Sequence, residues 1–424
     1  MRVMSDHLLS PEQISTYLHD GILVVDNLLS PSQINDAQTS LAQTLLRDLN
    51  VDITNLEETG HNLTKASSTN GAGGVLDIFY PEWKMEIATS ERLFRMTCQL
   101  WKEAFYCNNG EKEDGDNDVR WHPYGTFDSS KGYMYIDRIG FRLPSKLAES
   151  IGKKRQLLIN EATAADYATT TTTTIDASAT KKKKKQKSRA IQRSLTPHFD
   201  LCPETYHDAT NKNKWRPIQC FVSLTENLLP NTGGFEAVPG FHREFHSWVQ
   251  NGRRLSSSND DDHVNNIAAK EDDGMSPPPK QQQPCIGEYS HVHDRELMKR
   301  VKHIPVKAGS VVFWDNRLAH GNSYRNDNSY YDQSIPSTSS PLESCGARAV
   351  VYCSFLPDIS INRRFVERQL LDWKLGRAPR VGDRWMKPDA DEEEHDEDLN
   401  DSRNNEMELH LSDLGRKLIG LDKW

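Results

Sequence analysis

The sequence lacks the features that place a protein in a membrane or outside the cell. No run of about 18 apolar residues occurs, so no membrane-spanning helix is expected. The N-terminal stretch MRVMSDHLLSPEQ has no apolar core of signal-peptide length. The seven cysteines include no CxxC pair for structural zinc, and their odd number and irregular spacing favour free thiols in a reducing compartment. These absences predict a cytoplasmic protein.

Hydrophobic residues are scarce, and basic residues do not predominate. Hydrophobic residues make up 36% of the 424 residues, below the roughly 45–50% that is typical of a compact globular protein. The net charge is −9, with 52 Lys and Arg against 61 Asp and Glu. This balance excludes a general nucleic-acid binder, which would carry a basic domain. We expect no nucleic-acid or membrane partner, and the sequence does not indicate the oligomeric state.

Polar, low-complexity segments account for the shortage of hydrophobic residues. Such segments cannot bury enough apolar area to offset the entropy lost on ordering. We therefore predict disordered insertions between strands at about 160–190, 252–290 and 326–344. The prediction is one domain over residues 1–380, followed by an acidic tail with a short terminal helix over residues 381–424. The run Lys181–Arg189 could be a nuclear localisation signal, although a solvated loop is the simpler interpretation.

The N-terminal part has a helical pattern, and the remainder has a β pattern. SPEQ from Ser10 and SPSQ from Ser30 each offer an N-cap serine, a proline at the first helical position and a glutamine three residues after the serine. They predict two helices with a buried strand, Ile22–Val25, between them, and a third helix follows at about 90–106. Gly/Pro turns then separate strands predicted at MYIDRIGFRLP, IQCFVSL, GSVVFWD and ARAVVYCSFL. This α+β, mainly β pattern favours a sandwich or jelly roll over a parallel sheet.

One pair of motifs carries the candidate chemistry. In TPHFDLCP, His198 and Asp200 are two residues apart, so on a strand both side chains point to the same face and can share a metal. An HxD pair alone is common by chance, but FWDNRLAHGNS supplies His320 after an apolar strand and a turn. Two histidines and one carboxylate on one face leave three coordination positions open, which is the arrangement of non-haem Fe(II) oxygenases.

Two arginines compete for the role of a carboxylate anchor. Arg348 begins a strand on which Val350 and Tyr352 lie on the same side, so its guanidinium can reach inward and bind a dicarboxylate through two hydrogen bonds. Arg325 is nearer to His320 in sequence but lies in a predicted turn. The strand position favours Arg348.

Taken together, these motifs resemble the phytanoyl-CoA dioxygenase family of Fe(II)/2-oxoglutarate oxygenases. The similar stretches are DGILVVDNLLSPSQI, PHFD, TENLLPNTGGFEAVPGFHREF, FWDNRLAHGN and ARAVVYCSF, between about residues 10 and 357. The resemblance implies a double-stranded β-helix (a cupin-like jelly roll) with N-terminal helices packed on it. It also implies iron ligands at His198, Asp200 and His320, and Arg348 for the distal carboxylate of 2-oxoglutarate. The sequence between His320 and Arg348 is longer than in the family, which the 326–344 insertion explains.

The implied activity is hydroxylation of a small organic substrate with Fe(II), 2-oxoglutarate and O2, releasing succinate and CO2. Asp200 favours hydroxylation over halogenation, because related halogenases have a small residue in its place. Gln219 could hydrogen-bond the co-substrate, and Arg138 or Arg142 could contact a charged substrate, although outward-facing polar roles explain them equally well or better. Two alternatives stay open: another metal-dependent jelly-roll enzyme, such as an isomerase, and a non-catalytic interaction protein.

Overall fold

The computed structural model describes residues 8–105, 120–170, 189–206, 214–250, 289–330, 341–379 and 411–424, and the structural statements below refer to them. The helices are α1 (Pro11–Asp20), α2 (Pro31–Leu49), α3 (Leu56–Thr59), α4 (Glu82–Ala88), α5 (Glu91–Ala104), α6 (Ser145–Thr170), α7 (Phe245–Gln250), α8 (Arg295–Lys299), α9 (Pro341–Ser344), α10 (Ser360–Lys374) and α11 (Asp413–Leu418), with 3-10 turns at Gly60–Ala66 and Phe241–Arg243. The strands are β1 (Ile22–Val25), β2 (Val75–Leu76), β3 (Gly132–Tyr135), β4 (Ile139–Arg142), β5 (His198–Phe199), β6 (Ile218–Ser223), β7 (Phe235–Ala237), β8 (Ser290–His291), β9 (Lys302–His303), β10 (Val311–Asp315), β11 (His320–Asn322) and β12 (Arg348–Pro357).

The first two helices begin where the capping pattern predicts. Ser10 Oγ accepts the Gln13 amide at 3.2 Å, and the Gln13 side chain accepts the Ser10 amide at 2.9 Å. Ser30 and Gln33 form the same reciprocal pair at the start of α2. A proline in the first turn completes each start because its missing N–H would have no partner there. The predicted α1, β1, α2 and α5 are confirmed.

The larger sheet has seven strands in the order β1-β10-β6-β12-β4-β2, with β3 also pairing β12. Successive side chains on a strand point to opposite faces, and each face of this sheet has its own core. One face packs with the helices through Cys220, Val222, Phe313, Val351, Cys353 and Phe355. The opposite face packs toward the second sheet through Phe221, Val312, Trp314 and Val350. Burial on both faces explains why these strands are continuously apolar.

The smaller sheet has five strands in the order β8-β5-β11-β7-β9. Its Phe199, Phe235 and Ala237 share a buried cluster with the inner face of the larger sheet. The protein is therefore a mixed structure in which two antiparallel sheets face each other and helices cover one of them. This confirms the α+β, two-sheet expectation, whereas the double-stranded β-helix stays a prediction.

The expected single strand MYIDRIGFRLP is two strands, β3 and β4. Both pair with β12, but the pairing register shifts by one residue between them, at Ile136–Arg138. An extra residue on one strand is a β-bulge, which bends the strand and re-aims the side chains there. The bulge turns Asp137 and Arg138 toward the cavity described below.

Parts of the predicted insertions are structured. Residues 160–170 continue α6, whose earlier turns bury Leu147 and Ile151 at helical spacing. Asn326 is buried and donates to the carbonyls of Arg142 and Gly346, because a buried side-chain amide needs partners. Leu342 of α9 is fully buried. Residues 171–188, 252–288 and 331–340 of the predicted insertions, which include residues 181–188 of the lysine run, lie outside the described residues, as do residues 380–410.

The C-terminal helix packs on the core, as its apolar spacing predicts. Leu418 and Ile419 belong to the main buried cluster, and Trp424 Nε1 donates to the Gly132 carbonyl at 2.7 Å. As expected, Cys98, Cys220, Cys345 and Cys353 carry no disulfide bond. Cys202 is disulfide-bonded, contrary to expectation, because cysteine pairing is set by the fold rather than by spacing.

None of the described helices combines the length and apolar character needed to cross a membrane.

Candidate metal centre

Three predicted ligands meet between the two sheets. His198 of β5 and His320 of β11 are direct cross-strand partners, and their ring centroids are 4.5 Å apart. Asp200 follows β5, with Oδ1 at 3.4 Å from His198 Nε2 and Oδ2 at 3.7 Å from His320 Nε2. One ligand atom from each residue lies within 4.8 Å of the others. The three side chains are nearly buried, so any shared ion would be shielded from bulk water.

Backbone contacts fix the orientation of both imidazoles. His198 Nδ1 donates to the Thr196 carbonyl at 2.8 Å, and His320 Nδ1 donates to the Leu318 carbonyl at 3.0 Å. A carbonyl can only accept, so the proton of each neutral ring lies on Nδ1 and the lone pair lies on Nε2. Both Nε2 atoms therefore face Asp200, in the orientation that a metal ligand requires.

The carboxylate of Asp200 is held by a buried arginine. Arg216 Nη2 lies 3.3 Å from Asp200 Oδ2, and its Nη1 lies 3.3 Å from Asp137 Oδ2. The Arg216 guanidinium also lies over the Tyr135 ring, 4.5 Å from the centroid. These contacts fix Arg216 on three sides, so it can orient Asp200 and offset part of its charge.

The three candidate ligands open into a cavity of about 600 Å³ between the sheets. Gln219 and Arg348 line the same cavity, as do Trp314, Phe235, Tyr289 and Tyr352. Trp314 packs beside His320 at 5.2 Å between ring centroids, and Tyr289 stacks on His198 at 4.9 Å. Aromatic rings therefore border both histidines and leave little room for water on those sides.

Arg348 lies at the cavity wall and is only 2% exposed. Its guanidinium lies over Phe221, and its Nη1 has no hydrogen-bond partner among the described residues. A buried, unpaired guanidinium nitrogen is costly unless a ligand satisfies it. Arg325, the rival, is more than half exposed, pairs with Asp327 at 3.3 Å and is not among the described cavity residues. The position of the two side chains favours Arg348.

Arg142 lies directly opposite Arg348 on the neighbouring strand. Burial, followed by the nearby Arg348 charge, lowers the pKa of Arg142 to about 10. Arg142 donates to the backbone carbonyls of Arg193 and Tyr324, and it is not among the described cavity residues. Two like charges on opposed positions destabilise a sheet, so this wall of the cavity favours an anion.

The remaining predicted side chains take different positions. Gln219 faces Trp314 and Ser354 on the adjacent strands, and its Nε2 has no hydrogen-bond partner among the described residues. Arg138 lines the cavity, but Asp137 at 3.5 Å and Asp77 at 3.9 Å already offset its charge. Sequence reasoning missed Arg216 and Tyr289, since neither lies in a motif and both reach the site through tertiary packing.

Comparison with known proteins supports the overall fold but does not establish which reaction the site performs. No protein-family model matches the chain, and no curated protein is significantly similar to it. The GlcNAc Inducible Gene 2 protein of Candida albicans superposes with a TM-score of 0.56 at 13% identity, covering 100% of this chain and 78% of that chain. A hypothetical protein from Escherichia coli, in a structure at high pH, gives a TM-score of 0.52 at 13% identity, covering 98% of this chain and 82% of that chain.

A weaker match is the non-heme alpha ketoglutarate dependent carbocyclase SnoK from nogalamycin biosynthesis. Its TM-score is 0.37 at 11% identity, covering 83% of this chain and 85% of that chain. A TM-score at this level does not establish a shared fold. The resemblance to the phytanoyl-CoA dioxygenase family therefore rests on the sequence motifs.

Proposed function

We propose that this protein is an Fe(II)- and 2-oxoglutarate-dependent dioxygenase that hydroxylates a small organic substrate and converts 2-oxoglutarate to succinate and CO2. One observation carries the proposal: His198, Asp200 and His320 line the same cavity as the buried, incompletely paired Arg348. A cytoplasmic location, the double-stranded β-helix and membership of the phytanoyl-CoA dioxygenase family belong to the same proposal.

The donor set fits iron(II). Two imidazole Nε2 atoms and one carboxylate converge, and the described residues offer no fourth His, Cys, Asp or Glu to this group. A structural zinc site would use four protein ligands, whereas an oxygenase needs open positions for two co-substrate atoms and for oxygen. Iron bound there would supply oxygen activation coupled to loss of CO2 from 2-oxoglutarate.

The opposite wall fits a dicarboxylate. Arg348 can bind the distal carboxylate through two parallel hydrogen bonds, and Arg142 behind it adds positive charge. The amide of Gln219 has a hydrogen-bond donor that is free within the described structure. A bound dianion would satisfy these groups and relieve the repulsion between the two guanidinium ions.

The protein's own side chains would then perform three tasks. The Thr196 and Leu318 carbonyls hold the histidines, and Arg216 holds Asp200, so the ligand geometry exists before the ion binds. The aromatic side chains around the ligands exclude water, which protects a reactive centre from side reactions. The remaining cavity volume would hold the substrate with its reacting C–H bond near the three ligands.

The buried anion anchor argues against the alternatives. An isomerase on a similar fold has no need for Arg348, and a non-catalytic interaction protein has no need for converging Nε2 atoms in a cavity. The experiment is an assay of succinate formation from 2-oxoglutarate with Fe(II), ascorbate and a metabolite panel. We expect Fe(II)-dependent succinate that disappears in His198→Ala. Absence of succinate with every panel member, in protein shown to bind Fe(II), would reject the dioxygenase.

A further inference from the structure

A second depression lies next to the cavity lined by His198, Asp200 and His320, which we call the metal cavity. It has a volume of about 950 Å³, and Asn70 and Arg193 line both spaces, so the two spaces adjoin at these residues. We call it the basic groove. Its described lining residues are Thr64, Ser67, Asn70, Gly71, Gly152, Arg155, Gln156, Arg189, Ala190, Ile191 and Arg193.

The charge of the basic groove has one sign. Arg155, Arg189 and Arg193 line it, and no Asp or Glu stands among its described lining residues. None of the three guanidinium groups has a hydrogen bond or ion pair with another described residue. The whole chain carries a net charge of −9, so a local excess of three cations is not a general property of its surface. A concave surface lined by one sign of charge attracts ligands of the opposite sign.

The fold fixes Arg193 at the junction of the two spaces. Its amide donates to the Gly71 carbonyl at 2.9 Å, and its carbonyl accepts the Gly73 amide at 2.9 Å as well as the Arg142 guanidinium. Gly71 has a φ of +80°, and a Cβ there would lie 2.1 Å from the Ile191 carbonyl oxygen. The close approach of these two segments therefore requires glycine and sets the position of the Arg193 backbone.

The inner cavity leaves this cation without an assigned ligand. Asp137 and Asp77 offset the charge of Arg138, while Arg348 is the proposed anchor of 2-oxoglutarate. Arg193 is the remaining arginine among the described residues that line the cavity. It also lines the basic groove, together with Arg155 and Arg189.

We propose that the substrate is an organic anion: its carboxylate or phosphate binds in the basic groove at Arg193, Arg189 and Arg155, and its reacting carbon lies in the metal cavity. This inference rests on the proposed dioxygenase activity. It narrows the substrate from any small organic molecule to one with a negative group displaced from the oxidised C–H bond.

The first test uses matched pairs of candidate substrates with the iron-loaded full-length protein. Carboxylic acids are compared with their amides, and phosphate monoesters with their parent alcohols, by the stimulation of succinate formation. We expect stimulation by the charged member only, and the responsive pair identifies carboxylate or phosphate as the recognised group. Equal stimulation by the neutral members would overturn the inference.

The second test reverses the charges of the groove. For the best anionic substrate, Arg155→Glu, Arg189→Glu and Arg193→Glu should each raise KM by about three- to tenfold, since exposed charges interact weakly through water. The triple variant should raise it further, with a smaller change in kcat. Arg325→Glu is the control, because Arg325 is an exposed arginine that is not among the described lining residues of either space. An unchanged KM in the triple variant would contradict the inference.

A binding measurement separates this inference from the dioxygenase itself. Calorimetric titration with pyrophosphate should show binding that the triple variant loses and Arg325→Glu keeps. If pyrophosphate binds in this way while no condition yields succinate, the dioxygenase fails and the anion site stands. If succinate forms only with neutral substrates and pyrophosphate does not bind, the dioxygenase stands and the anion site fails.

Discussion

We call the metal cavity the inner end and the basic groove the outer end of the proposed ligand site, and the two ends are built differently. The inner end is built largely from strand residues, of which Arg348 is 2% exposed and His198 is 1% exposed. The outer end, the basic groove, consists of an α6 residue, Arg155, and of Arg189 and Arg193 in a segment without a named strand, and all three are exposed. The inner end is held by sheet hydrogen bonds, whereas the outer end depends on a few loop contacts.

This difference predicts that the inner end determines the type of reaction and that the outer end determines which substrate is accepted. Groups that hold a metal and a common co-substrate need placement within a fraction of an ångström, which packed strands provide. Loops tolerate substitution and carry the binding residues that differ between related proteins. We therefore expect mutations at the inner end to remove activity of every kind, and mutations at the outer end to change which substrate is accepted.

The largest effect is expected at the ligands. His320→Ala removes one of three donors, so Co(II), used as a spectroscopic probe for Fe(II), should lose its tight binding and its ligand-field absorption. His293→Ala is the control, because His293 is exposed and outside the ligand group. Tight, unchanged Co(II) binding by His320→Ala would place the metal elsewhere.

The next effect concerns the co-substrate anchor. Arg348→Ala should raise the KM for 2-oxoglutarate by about 10- to 100-fold, since a charge-assisted hydrogen-bond pair contributes roughly 1.5–3 kcal/mol. Arg325→Ala should leave this KM unchanged. Steady-state kinetics with varied 2-oxoglutarate measures both, and the reverse result would assign the role to Arg325.

A smaller effect is expected at the residue behind Asp200. Arg216→Met removes the two ion pairs to Asp200 and Asp137 and should weaken Co(II) affinity by about 10-fold or more. Arg216→Lys keeps the charge and should recover part of the affinity. If both variants bind Co(II) as the wild type does, Arg216 has no positioning role.

The last expected effect is on folding stability rather than on ligand binding, and it tests the outer end. Gly71→Ala should lower the free energy of unfolding by about 2–3 kcal/mol, because it adds a backbone clash to the strain of a positive φ. Gly376→Ala has a similar φ of +61° with no atom within 4 Å of the added Cβ, so it should cost only about 1 kcal/mol. Urea unfolding of the two variants measures the difference, and equal values would show that the Arg193 segment is loosely held.

Local patterns predicted α1, α2, α5 and the meeting of the three candidate ligands. Ser10 and Ser30 start helices through contacts within three residues, and the two-residue spacing of His198 and Asp200 brings their side chains together at the end of β5. The choice of Arg348 over Arg325 followed from the same alternation along β12.

Contacts between distant segments could not be predicted in this way. Arg216 reaches Asp200 from the segment that precedes β6, and Arg193 owes its position to the loop at Gly71. The bulge at Ile136–Arg138 appears only in the register with β12. Helix α6 was not predicted, and its last residues fall in the stretch that the sequence assigned to a low-complexity insertion at 160–190.

The cross-strand position of His198 opposite His320 has a consequence for folding. A slip of one residue between β5 and β11 would turn one histidine to the other face of the sheet. Misaligned chains would then lack a complete ligand set, and only correctly paired chains would bind the ion tightly. By mass action, metal binding would draw the population toward the correct alignment. The ion would therefore selectively stabilise the correct strand pairing before it takes part in any reaction.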